Sequence, residues 1–469
     1  MADKIIKIGF LRKFSLVFSI KAGLKYLCLA QFIFFIAGCS SYGKIANVPR
    51  KENINSRDYY AIDSHVKRNK QRSNDIGLGL AFSGGGTRAA AFSYGVLEAL
   101  RDTGVVIDSR SERLLDEVDV ISSVSGGSFT AAYYGLYGDA IFADFEEVFL
   151  RNNIESELVR GLFNPVRWFD IRGRTEMAIK HYDEHVFYGA TFADMNHDDR
   201  PLIVLNASDI SHGVRFSFIQ EYFDLICSDM SQFPISRAVT ASSAVPVLFN
   251  PVVLENYSGC MTTKPDWLES AINNSSNNLE MDLVVNNLES YFNQNKGNYT
   301  HLVDGGVTDN LGLRAIYEVI ELAGGVKLFL KSVGQKLPRR IVIIAVNAST
   351  DPGFDISATN KTPSLKEMGT AISNIQLHRY NAATMALMKR ALERWAKELS
   401  TPEQEAVPYF IQLNFRQIKT HQKRSFLNAI PTSFSLNDKQ VDGLIEAGRE
   451  MLLANPEFQR LLTDIGDSQ

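Results

Sequence analysis

Cysteine is scarce, with four in 469 residues, too few for a fold held together by disulfides. The eight histidines fall at no spacing that a zinc site uses, and no cofactor is implied. No Gly-Lys-Ser/Thr sequence closes a phosphate loop after the glycine run at 84–86. Basic charge is not in excess either. Lys and Arg number 49 against 53 Asp and Glu, a formal charge of −4, so no general field for nucleic acid exists. No internal repeat is visible. What is present, 45% hydrophobic and 22% charged residues, belongs to a globular chain long enough for a large core.

The N-terminus differs from the rest. A basic leader precedes an uncharged apolar run from Tyr26 to Gly38, too short to cross a bilayer comfortably and suited to a signal-peptide core. Taking away the leader, with its six basic residues and one acid, leaves a formal charge of about −9. The run ends in Ile36-Ala37-Gly38-Cys39, which resembles the lipobox of bacterial lipoproteins. That resemblance implies cleavage after residue 38 and lipidation of Cys39, and Ser40 in place of aspartate points to the outer membrane. Two or more acyl chains hold a protein durably on a membrane. The expected location is therefore the bacterial cell envelope, facing the periplasm or the surface. Residues 39–75 read as a polar, locally basic, solvated tether. Cys28 lies in the signal, which leaves Cys227 and Cys260 in the exported body. Two thiols in an oxidising compartment suffice for one disulfide, and spacing alone leaves that bond open.

The folded body opens at "IGLGLAFSGGGTRAAAFSYGVLEAL". Ile76–Phe82 is an apolar run of strand length, and Thr87–Leu100 is apolar on nearly every side, as a buried helix is. Between them stand Gly84, Gly85 and Gly86. A dinucleotide fingerprint is a weak match there, with Ala89 in the place of the third glycine, and a tight structural turn is the plain alternative. The remaining role is an oxyanion hole of backbone N–H groups at a helix N-terminus. One strand later comes "VISSVSGGSF". Val118–Ser122 is β-prone, and a small-residue helix begins near Gly126. Ser125 thus sits in a strand–turn–helix context, as a nucleophile elbow requires. The elbow pattern G-x-S-x-G here has Ser123 for its first glycine, followed by Gly126 and Gly127. Glycine turn and serine lie one strand apart, hence at the same edge of a parallel sheet, where open α/β sheets bind ligands.

These residues resemble the patatin-like phospholipase family. Its G-G-G-x-R loop corresponds to Gly84–Arg88, its elbow to Ser123–Gly127, and its D-G-G motif to Asp304-Gly305-Gly306 in "LVDGGVTDN". The stretch Ala238–Val252, "AVTASSAVPVLFNPV", is similar to a segment that packs near the family's site. Departures are Ser123 and Ala89, and neither removes a reacting group. The resemblance covers most of residues 76–350. It implies an α/β fold, a three-layer sandwich with a central, mostly parallel sheet and helices on both faces. It also implies a Ser125–Asp304 dyad, an oxyanion hole at Gly84, Gly85 and Gly86, and no cofactor. Arg88 belongs to the same motif, set either to orient the loop or to meet a phosphate head group. The substrate expected is a phospholipid or other acyl-ester lipid.

Elsewhere, "RPLIVLNASDI" reads as a strand and "VRFSFIQEYFDLI" as a strand followed by a loop to Cys227. Residues 261–300, rich in Asn and Ser with amphipathic pieces around Trp267 and Leu288–Phe292, read as an insertion, either a lid or a solvated excursion. His301–Val303, Arg339–Ser349 and "PYFIQLNF" are further strands. Residues 351–469 are expected as a helical extension packed on the catalytic domain, with a helix capped near Asn437 and stopped by Asn455-Pro456. His378, in a long amphipathic helix, and His421, in a charged patch, follow Asp304 in the chain order of a conventional triad. A general esterase or thioesterase using such a triad is one alternative, and an inactive lipid-binding envelope lipoprotein is another.

Overall fold

Eight strands form the main sheet: β1 Ile76–Phe82, β2 Val118–Val124, β3 Leu202–Asp209, β4 Val214–Phe218, β5 Val252–Glu255, β6 Tyr299–Asp304, β7 Arg340–Asn347 and β8 Val407–Asn414. The computed structural model describes residues 42–50, 59–68, 72–73, 75–107, 109–152, 173–246, 248–257, 260, 264–275, 278–292, 297–351, 356 and 360–466. Residues 43–469 make up one compact unit. Of the other, residues 1–42, only Tyr42 is described, and it is exposed. The leader and Cys39 lie outside the described residues.

Strands β8, β7, β1, β2 and β3 run parallel in that order. The apolar runs of the central β1 and β7 are nearly continuous because both faces are covered, as parallel sheets require, whereas the edge strand β8 alternates in burial. Helices Thr87–Asp102 and Gly126–Tyr137 cover one face. Leu313–Leu322, Val326–Val333 and the last turns of Leu365–Leu399 cover the other. The chain moves outward from β1 to β3 and later returns past β1 to β7 and β8, an order for which the right-handed crossover rule puts the two sets of helices on opposite faces. The architecture is the expected three-layer α/β sandwich.

Strand β3 has an unusual set of neighbours. Residues 205–209 pair with β4 along one edge. Along the opposite edge, Leu202–Asn206 pair in parallel with Val120–Val124. The next three residues, Ala207, Ser208 and Asp209, pair antiparallel with Asp304, Val303 and Leu302. Strands β2 and β6 therefore meet end to end beside β3, with Val124 opposite Asn206 and Asp304 opposite Ala207. That junction places the site.

Three expectations need correction. The tether is not solvated throughout. Val48–Pro49 pair with Ser228–Asp229, and the buried Tyr60 hydroxyl donates to the Ile203 carbonyl (3.0 Å) and accepts from the Ile203 N–H (2.7 Å). Aromatic surface at Tyr59 and Tyr60 draws this segment onto the body. Residues 261–300 are not a wholly solvated excursion. They hold helices Asp266–Ser275 and Leu279–Phe292, which bury Leu268, Met281, Val285, Leu288 and Tyr291. The stretch read as a loop to Cys227 contains a helix, Gln220–Leu225.

The C-terminal part contains the strand expected in "PYFIQLNF". Val407–Asn414 pairs with β7 in unbroken parallel register, and Asp438–Leu453 packs across Thr87–Asp102. A Cβ on Gly95 would stand 2.1 Å from the Ile445 carbonyl oxygen, so these two helices touch backbone to backbone. That helix starts in a capping box made by Asn437 and Gln440. Cys227 and Cys260 are joined by a disulfide.

Candidate active site

Ser125 lies where β2 ends and the helix Gly126–Tyr137 begins, at φ 52° and ψ −122°. Few non-glycine residues hold such a backbone, and strain of this kind gathers at functional turns. The turn has no room for side chains. A Cβ on Gly126 would lie 1.9 Å from the Gly86 carbonyl oxygen. The elbow and the glycine turn are thus in direct contact. Gly85 and Gly86 have φ 146° and 62°, and among the described residues their N–H groups find no backbone acceptor. Gly86 caps the helix Thr87–Asp102, whose N-terminal dipole adds to those amides. Gly84 donates to the Asn310 carbonyl (2.9 Å), which ties this turn to the segment following Asp304.

The Ser125 hydroxyl donates to Asp304 Oδ2 at 2.8 Å, and the Gly306 N–H donates to Asp304 Oδ1 at 2.8 Å. Both residues are buried, Ser125 at 5% and Asp304 at 8% exposure. Burial pushes the Asp304 carboxyl up to about 6, against the Gly306 and Ser125 hydrogen bonds that favour its ionised form. Among the described residues neither His378 nor His421 bonds to Ser125 or Asp304. His378 is half-buried on its long helix, and His421 is exposed at the first turn of His421–Asn428.

A residue not singled out in the sequence holds the pair together. Ser242 ends the helix Ile235–Ser242. Its hydroxyl accepts from the Ser125 N–H (2.9 Å) and donates to the Asn206 carbonyl (2.6 Å). Its own carbonyl accepts from the Gly305 N–H (3.0 Å), and the Asp304 N–H donates to Ala244 (2.9 Å). One short segment therefore fixes the backbone of both residues. The signal for it was the segment Ala238–Val252, which marked proximity but no role. Gly127 packs under Phe82, and Gly305 sits against the Asn206 carbonyl.

Ser123 and Arg88 point away from the reacting groups. Ser123 is fully buried, 3.2 Å from the Ser128 hydroxyl, which in turn lies 2.9 Å from Ser242. The buried Arg88 guanidinium donates to the Ala348 carbonyl (2.8 Å), the Ile430 carbonyl (2.7 Å) and the Thr432 hydroxyl (3.0 Å). Its side chain pins the glycine loop to the end of β7 and to the segment before Asn437. Of the two roles expected of this side chain, these bonds favour orienting the loop over meeting a head group.

A family model described as patatin-like phospholipase matches residues 80–317, just over half the chain. No curated protein matches it. Among solved structures, human GIVD cytosolic phospholipase A2 bound to methyl gamma-linolenyl fluorophosphonate is 14% identical, with a TM-score of 0.41. That alignment covers 88% of this chain and 63% of the other. The same human protein without that compound is 11% identical at a TM-score of 0.40, covering 91% and 66% respectively. The chain thus spans under two thirds of the length of both structures. The family assignment rests on the match over residues 80–317: this chain belongs to the patatin-like phospholipase family.

Proposed function

We propose that the chain hydrolyses carboxylic ester bonds of membrane lipids, phospholipids above all, with Ser125 as nucleophile and Asp304 as its base. The observation that carries this reading is the 2.8 Å hydrogen bond from Ser125 Oγ to a buried carboxylate, at a strained elbow touching a glycine turn. Ser125 Oγ attacks the ester carbonyl carbon while its proton passes to Asp304. The oxyanion is held by the Gly85 and Gly86 N–H groups, a contribution of about 3–4 kcal/mol per donor. When the tetrahedral species collapses, the ester C–O bond breaks and Asp304 returns the proton to the leaving alcohol. Water then attacks the acyl-serine, giving its proton to Asp304, and the fatty acid leaves as Ser125 Oγ regains that proton.

A carboxyl with a pKa near 6 suits both halves of this cycle, because it is ionised at neutral pH and remains basic enough to take a proton. We also propose that a lipidated Cys39 holds the enzyme on the envelope membrane, where its substrate lies. Hydrolysis of phospholipid vesicles by the parent, Ser125→Ala and Asp304→Asn tests the dyad. Undiminished activity in either variant would overturn it. Incorporation of radioactive palmitate, and its loss on Cys39→Ala, tests the anchor.

A further inference from the structure

A cavity of about 560 Å³ lies at the other end of the sheet from Ser125. It sits between the first residues of β1, β2, β3 and β7 and the helices Ile62–Arg68, Leu313–Leu322 and Val326–Val333. Its lining includes neither Ser125, Asp304 nor any of Gly84–Gly86, and it approaches the elbow no nearer along the chain than Ser122. The volume falls within the range of about 300–1,000 Å³ common to ligand pockets.

The walls are mostly aliphatic. Val120, Ile316, Val319, Ile320 and Leu330 face it from β2 and the two helices, and each is only half-buried although it belongs to the layer packed on the sheet. Water gains little in such a space, because an ordered water needs two to four polar partners. Left empty, the walls would forfeit their dispersion contacts.

The polar groups are few and gathered by sign. Three cations, Lys67, Arg72 and Lys336, stand against one carboxylate, Asp119. Lys67 pairs with Asp63 at 2.6 Å and Arg72 with Asp119 at 3.4 Å. Asp119 also accepts from the Leu78 N–H at 2.7 Å. Lys336 is exposed and has no acceptor among the described residues. His65, only 4% exposed, lines the same space, and neither ring nitrogen makes a hydrogen bond. The Arg200 carbonyl lies alongside that ring without reaching hydrogen-bond geometry.

We propose that this cavity is a second lipid site, taking the single acyl chain of a fatty-acid-type amphiphile with its carboxylate at Lys336. An aliphatic hollow with one uncommitted cation at its rim matches that chemistry. The site is separate from the Ser125 centre and does not depend on that serine acting as a nucleophile.

Trp395 lines the cavity and gives the test. In the full chain carrying Ser125→Ala, Trp168→Phe and Trp267→Phe, Trp395 is the sole tryptophan. Titration in a non-brominated maltoside detergent with 9,10-dibromostearic acid should quench its emission saturably, at one acid per chain. Filling the space with Ile316→Phe and Val319→Phe should weaken quenching about tenfold or more, with thermal unfolding checking that the variant is folded. Lys336→Glu, a surface change, should weaken the acid several-fold while leaving its methyl ester unaffected. Absence of saturable quenching, quenching undiminished in a folded filled variant, or equal binding of acid and methyl ester would each overturn the proposal.

Discussion

Replacing Asp304 by Asn should remove activity and at the same time stabilise the fold. The carboxyl is buried, and its pKa rises from 3.8 to about 6. At 1.36 kcal/mol per unit, keeping it ionised costs about 3 kcal/mol at neutral pH. The sign follows from proton counting. Between pH 4 and 6 the native state binds more protons at this site than the unfolded chain, so stability falls as pH rises through that window. Asparagine keeps an acceptor for the Gly306 N–H and carries no charge to desolvate. The variant should therefore be more stable than the parent at pH 7.5 by up to about 3 kcal/mol, and the gain should shrink towards zero near pH 4. With about 2.1 cal/mol/K of unfolding entropy per residue, that is on the order of 3 °C in Tm. Urea unfolding at several pH values measures it directly. Loss of the base should lower kcat by about 10²–10⁴, and the parent's kcat should climb through an apparent pKa near 6 to a plateau above it. An Asn variant no more stable than the parent at pH 7.5, or a gain that does not vary with pH, would refute the reasoning.

Other outcomes follow from the same geometry. Ser242→Ala leaves the Ser125 N–H and the Asn206 carbonyl buried without their partner. It should cost about 1–3 kcal/mol of stability and lower kcat more than it raises KM, read by unfolding and by steady-state kinetics. Ser123→Gly removes a hydroxyl that touches Ser128 rather than Ser125, so kcat should stay within about twofold, and stability should fall by roughly 0.5–1.5 kcal/mol. Cys227→Ser with Cys260→Ser opens a loop of 33 residues, which should cost about 3–4 kcal/mol, measured against the oxidised parent.

Much of this was legible in the sequence because its signals are local. The strand, glycine turn and helix at residues 76–102 follow from one apolar run, three glycines and a second apolar run. The elbow follows from small residues around a serine, and Asn437 marks a helix start by its side-chain chemistry. What could not be read was pairing. Nothing in "HLVDGG" says that β6 enters antiparallel and stops head-on against β2, yet that meeting brings Asp304 to Ser125. Ser242 escaped notice for a similar reason, since its hydroxyl reaches a backbone N–H 117 residues away. The choice between the two roles of Arg88 was not legible, because an arginine next to a glycine turn can face either way. Its three acceptors, at residues 348, 430 and 432, come from parts of the chain that only the fold brings near. Helices Asp266–Ser275 and Leu279–Phe292 were legible only in part, as the amphipathic pieces around Trp267 and Leu288–Phe292 in a stretch of polar composition.

The central claim is that Ser125 becomes acylated. The protein should be mixed with a slowly deacylating ester, quenched in acid, digested, and the peptide containing Ser125 weighed. The account predicts that this peptide gains the mass of one acyl group, that Ser125→Ala abolishes the gain, and that Asp304→Asn slows its appearance by about 10² or more. An unmodified Ser125 peptide during active turnover, or an acyl group on another residue, would contradict it.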